Sequence, residues 1–152
     1  MIKTPTTIYF DMDGTIADFY SVPNWLDYLE AQDTTPYAEA KPLFNFSAFA
    51  RSLHRLQAEG YRIGIISALS KSGNDTFHKA IKEVKSEWLS KHLPSVKWDE
   101  IHYVPYGSNK TLVANRTTRN FLFDDEAKNR QDWGTLAYNV ENLLKTLREI
   151  AE

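Results

Sequence analysis

"TTIYFDMDGTIADF", Thr6 to Phe19, decides how the chain folds. A run of β-branched and aromatic residues stops at Asp11; a second aspartate follows at 13, then Gly14 and Thr15. Unbroken apolar character, rather than alternation, belongs to a strand covered on both faces, as in a parallel sheet. Two carboxylates at the end of such a strand repel unless something positive lies between them. A plain Asx turn explains an Asp-Gly pair after a strand, but not the polar residues that other strands deliver. An EF-hand calcium loop starting at Asp11 needs glycine at its sixth position and glutamate at its twelfth, where Ile16 and Val22 stand.

Four more short apolar runs match the first: RIGII (Arg62–Ile66), IHYV (Ile101–Val104), NFLF (Asn120–Phe123) and TLAY (Thr135–Tyr138). Each is bounded by turn-forming or polar residues. Helical periodicity fills the gaps. Phe46, Phe49, Leu53 and Leu56 form one stripe, with Asn45 or Ser47 as N-cap and Gly60 as the stop. Phe77, Ile81, Val84 and Trp88 form another, ending before Pro94, and Val140, Leu143, Leu144, Leu147 and Ile150 a third. On this pattern Lys79, Lys82, Lys85 and Lys91 belong to a solvated helix face. Strands alternating with helices predict a three-layer, Rossmann-like α/β fold with a five-stranded, mostly parallel sheet. Residues 1–152 read as a single domain with an aromatic-rich insertion at about 19–45, interrupted by Pro23, Pro36 and Pro42.

Composition narrows the function. The 152 residues are 42% hydrophobic and 25% charged, with a formal charge of −2, which gives no general attraction to nucleic acid. The absence of cysteine excludes disulfides, thiolate catalysis and cysteine-based metal sites. No apolar run reaches membrane-spanning length and MIKTPTT is unlike a signal peptide, so the expectation is a cytoplasmic protein without membrane contact. The sequons at Asn74 and Asn115 then have no meaning. The sequence does not define an oligomeric state.

In open parallel sheets ligands bind beyond the carboxyl ends of the strands. The first strand delivers Asp11 and Asp13 there, the second Ser67, and the fourth Asp124 and Asp125; Lys110 lies in the loop after the third. Carboxylates about 4 Å apart repel by roughly 4 kcal/mol per pair at an effective dielectric near 20. Lys110 alone does not offset four of them and a phosphate as well. A hard divalent cation does, and oxygen donors without His or Cys favour Mg²⁺. GSNKT (residues 107–111) is not a P-loop, because Asn109 stands where the required glycine would be.

This ordered set resembles the four motifs of the haloacid dehalogenase-like phosphohydrolases: DMDGT for the first, Ser67 for the second, Lys110 for the third and FLFDDE for the fourth. The feel is that of 5'(3')-deoxyribonucleotidase-like and magnesium-dependent phosphatase members with a small cap. The resemblance implies that Asp11 is a nucleophile forming an aspartyl-phosphate and that Asp13 is the general acid and base. It implies Mg²⁺ held by Asp11, the Asp13 carbonyl and a fourth-motif acid. Asp125 is indicated as the direct ligand, with Asp124 orienting a metal-bound water or Lys110. Ser67 and the Ala68 amide would hold phosphoryl oxygens and Lys110 would stabilise charge, with Lys71 as a rival for that role.

In that family the insertion would be a cap that selects the substrate, a small phosphorylated molecule. Phe19, Tyr20, Trp25 or Tyr28 would stack on a base if the substrate is a nucleoside monophosphate, the 5'-nucleotidase case. The alternative, and the favoured one, is that the same aromatics form a small core packing the insertion onto the sheet. Rival substrates are nucleic-acid, protein and sugar phosphoesters. A weakly catalytic phosphate-binding regulatory module also stays open, although a receiver domain would need an aspartate after the third strand, where PYGSNK stands.

Overall fold

In the computed structural model residues 4–150 are described. The chain runs β1 (Thr6–Phe10), β2 (Ala17–Asp18), a 3-10 turn (Phe19–Ser21), α1 (Trp25–Glu30), α2 (Thr35–Glu39), β3 (Lys41–Pro42), α3 (Phe46–Ala58) and β4 (Arg62–Ala68). It continues through α4 (Asp75–His92), β5 (Glu100–Val104), a second 3-10 turn (Lys110–Leu112), β6 (Arg119–Phe123), α5 (Ala127–Trp133), β7 (Ala137–Tyr138) and α6 (Leu143–Ile150). The five predicted strands are present, and their pairings are all parallel, in the order β5-β4-β1-β6-β7.

The unbroken apolar character of β1 has the expected cause. Ile8 and Phe10 enter one core with Phe49, Leu53 and Leu56 of α3 and Leu143 and Leu147 of α6. Tyr9 enters a second core on the other face with Ile66, Val104 and Leu122, against which Val113 and Trp133 pack. Three layers result, with β1 at their centre. Burying each large side chain contributes about 1.5–3 kcal/mol, which offsets the cost of ordering the chain.

The N-cap read for α3 holds, and α4 has one of the same kind. Asn45 Oδ1 accepts the Ala48 amide at 3.0 Å, and Asn74 Oδ1 accepts the Phe77 amide at 2.9 Å, each capping a helix. Ends differ more. β4 extends to Ala68, so Ser67 belongs to the strand itself. β7 shortens to Ala137–Tyr138, and α6 begins at Leu143, leaving Val140 outside it.

Strand order positions the site. From β1 the chain moves to β4 on one side and β5 beyond it, then returns to β6 on the other side. Order reverses beside β1, and a crevice opens at such a switch point. The aromatic insertion leaves through β2 and returns through β3, an antiparallel pair joining Ala17 to Pro42 and Asp18 to Lys41. Its α2 packs against α4.

Candidate active site

Beyond β1 the backbone turns sharply: the amides of Thr15, Ile16 and Ala17 all donate to the Met12 carbonyl. Gly14 has φ +80° in this turn, and a Cβ there would strike the Asp125 carboxylate. The turn brings Thr15 Oγ1 back to donate to Asp11 Oδ2 at 3.0 Å, while the Asp125 amide donates to that hydroxyl at 3.2 Å. One threonine thus joins the end of β1 to the end of β6.

Lys110, fixed by the second 3-10 turn, is 1% exposed. Its ammonium donates to Asp11 Oδ1 at 3.0 Å and to Asp124 Oδ2 at 2.7 Å. Both oxygens of Asp124 are engaged, since Asn129 Nδ2 also reaches Oδ2 and the Glu126 amide reaches Oδ1. Asp125 is more open, with the Thr15 hydroxyl 3.4 Å from its Oδ1.

Burial would pull the Lys110 ammonium down, but the Asp11 and Asp124 carboxylates overcome that and hold it above its ordinary range. Burial and the Asp11 charge push Asp124 up to about 6 and Asp125 up to about 8. Both the Lys110 ammonium and the Asp124 carboxyl are raised. This follows from several carboxylates sharing a single ammonium: Lys110 is held cationic while burial and the Asp11 charge make Asp124 harder to ionise. Negative charge is therefore in excess here. Oxygens of Asp11, Asp124 and Asp125 lie within 4.8 Å of one another, an all-carboxylate set suited to a hard divalent cation.

Asp13 has a different partner, and here the solvated-face expectation fails. Lys79, Lys82 and Lys91 are exposed, but Lys85 is 1% exposed. Its Nζ lies 2.9 Å from Asp13 Oδ2, 2.7 Å from Ser67 Oγ and 2.7 Å from the Ala68 carbonyl oxygen. Lys85 shares the buried face of α4 with Phe77, Ile81, Trp88 and Leu89. Its position four residues after Ile81 and three before Trp88 carried that signal. Burial pushes the Asp13 carboxyl up, against the opposing pull of Lys85.

One further expectation changes. Ser67 is wholly buried and bonded to Lys85, so the hydroxyl expected to hold a phosphoryl oxygen has no open face, whereas Ala68 lines the cavity beside the site. Lys71, the rival to Lys110, is exposed, lies 4.9 Å over the Tyr106 ring and lines the cavity, whereas Lys110 is the lysine bonded to Asp11.

A cavity of about 440 Å³ opens from Asp11 and Asp13 toward the insertion. Phe19, Tyr20 and Trp25 line it, but Tyr28 does not. Tyr37, Leu26, Leu29 and Tyr106 join the lining, as does Asn129, the buried partner of Asp124. The small core is present: Phe19 and Tyr37 are buried with Leu69, Phe77 and Ile81. Phe19 packs 4.7 Å from Tyr37 and 5.4 Å from Trp25, between centroids. One aromatic cluster thus holds the insertion down and walls the cavity.

No family model matches the chain, and no curated protein matches it in sequence. Among solved structures it is similar to the D,D-heptose 1,7-bisphosphate phosphatase from Burkholderia thailandensis. The TM-score is 0.57 at 14% identity, over 97% of this chain and 99% of that one. The architecture is a three-layer, Rossmann-like α/β fold shared with that structure. Among the described residues no helix is long and apolar enough to cross a membrane.

Proposed function

We propose that this protein is a Mg²⁺-dependent phosphomonoester hydrolase working through an aspartyl-phosphate at Asp11. The observation that carries it is the convergence on Asp11: Lys110 on one oxygen, Thr15 on the other, Asp13 two residues on, and a cavity open to both aspartates. Similarity in fold to a bisphosphate phosphatase supports the same reading.

Asp11 attacks phosphorus, and Asp13 delivers a proton to the leaving oxygen, then takes one from the water that opens the acyl phosphate. Lys110 keeps Asp11 oriented and offsets charge spreading over the phosphoryl oxygens. Asp11, Asp125 and the Asp13 carbonyl would hold Mg²⁺, with Asp124 orienting Lys110. When bound, the cation would neutralise the carboxylates and let an anionic phosphate approach. The Ala68 end of β4 provides the backbone that grips the phosphate.

For the substrate, the aromatic and apolar wall of Phe19, Tyr20, Trp25 and Leu29 favours a phosphate carried on a flat, partly apolar group, a nucleoside monophosphate before a sugar phosphate. The decisive experiment is phosphate release from p-nitrophenyl phosphate with Mg²⁺ or EDTA, by the parent and by Asp11→Asn. Activity is expected only for the parent with Mg²⁺. Full activity in EDTA or in the mutant sinks the mechanism, and tight phosphate binding without turnover points to a regulatory module.

A further inference from the structure

We propose that Lys85 is a positioning residue that fixes the Asp13 carboxylate for proton transfer by tying it to the end of β4. The proposal rests on the phosphatase reading and assigns a task to a lysine outside the ordered motif set. An ammonium has three N–H donors. Lys85 has three acceptors within 2.9 Å, Asp13 Oδ2 from the turn after β1, and Ser67 Oγ and the Ala68 carbonyl from the end of β4. No donor is left over for a phosphate. Lys85 is also absent from the cavity lining, and the Tyr37 ring lies 5.0 Å from its Nζ. It therefore acts through Asp13 rather than on the substrate.

The placement has two consequences. Lys85 is 1% exposed on the buried face of α4, and three hydrogen bonds hold its ammonium at one point rather than swinging. Asp13 lines the cavity and is 19% exposed in its side chain, with Oδ2 engaged by Lys85, which leaves Oδ1 to carry the transferred proton. Ser67 becomes the back anchor of that support, which gives a buried strand hydroxyl a reason to be there. A misplacement of about 1 Å at a reacting group costs on the order of a hundredfold in rate.

Leaving-group dependence tests this, because a poor leaving group needs the proton and p-nitrophenolate hardly does. Measure kcat/KM for p-nitrophenyl phosphate and phenyl phosphate with saturating Mg²⁺, in the parent, Lys85→Met and Lys85→Arg. Lys85→Met should lose at least about tenfold more on phenyl phosphate than on p-nitrophenyl phosphate, a fraction of what general acids contribute. Lys85→Arg, whose planar fork cannot meet the same three acceptors, should show the same bias more weakly, and it carries the test if the methionine variant does not fold. In an Asp13→Asn background, Lys85→Met should add no further bias. Equal losses on both esters in an active protein overturn the role of Lys85 alone. A parent inactive on both esters overturns the phosphatase reading, and the role of Lys85 with it.

Discussion

Lys110 Nζ lies 2.7 Å from Asp124 Oδ2, and the two side chains are 2% and 0% exposed. A pair this deeply buried is stabilising only while it stays complete, because either charge left alone has lost its water. The same ammonium holds Asp11 at 3.0 Å, so orienting the nucleophile and compensating the buried acid are one structural act.

Lys110→Met should therefore damage both. The variant is expected to lose about 3–5 kcal/mol of metal-free stability, as broken buried pairs do. It should also lose at least about a hundredfold in kcat, the usual cost of removing a donor to transition-state charge. Urea unfolding in EDTA and steady-state kinetics check the two losses separately.

Gly14→Ala tests the turn that brings Asp125 to the site. Gly14 has φ +80°, and its new Cβ would meet the Asp125 carboxylate. Destabilisation of about 1 kcal/mol or more is expected, with the Mg²⁺ concentration for half-maximal activity rising at least about tenfold. An unchanged metal titration would show that Asp125 is not a ligand.

The carboxylates set a pH signature for the metal-free protein. Asp125 is pushed up to about 8, chiefly by burial and then by Asp11, from an ordinary value of 3.8, and Asp124 is raised as well. Between those limits the folded state keeps protons that the unfolded chain has released, so stability falls as pH rises. The melting temperature in EDTA should drop from about pH 5 to pH 8.5, and saturating Mg²⁺ should flatten that slope. A melting temperature that rises over this range in EDTA would contradict the charge excess.

The cavity wall predicts selectivity. Trp25 packs edge-on to Tyr20 with centroids 5.2 Å apart, and both line the cavity. Trp25→Ala should raise KM for nucleoside monophosphates about tenfold, equivalent to about 1.4 kcal/mol of lost contact. KM for sugar phosphates should change much less, and kcat for either little. Equal effects on both classes would remove the case for stacking.

Much of this was legible because strands buried on both faces leave an unmistakable trace. The run from Ile8 to Phe10 announced cover on two sides, and the residues after each run fell at one sheet edge as the topology requires. Asp11, Lys110, Asp124 and Asp125 do converge. Lys85 was obscured because a charge in an apolar stripe is costly to bury, so periodicity assigns it to solvent by default. That Tyr37 rather than Tyr28 lines the cavity was hidden for another reason: the insertion has short helices and three prolines, and no repeating pattern says which aromatic turns inward.

The sequence by itself determined the parallel three-layer fold and the edge to which DMDGT and FLFDDE bring their acids, because strand burial and strand direction are local properties. Only the tertiary structure decided who partners whom. Ser67 went to Lys85 rather than to open space, Asp13 gained a buried ammonium, and Phe19 became both core and cavity wall. Each outcome depends on groups distant in the chain meeting within hydrogen-bond or van der Waals reach, where the acceptors of one segment compensate the charge that another has buried.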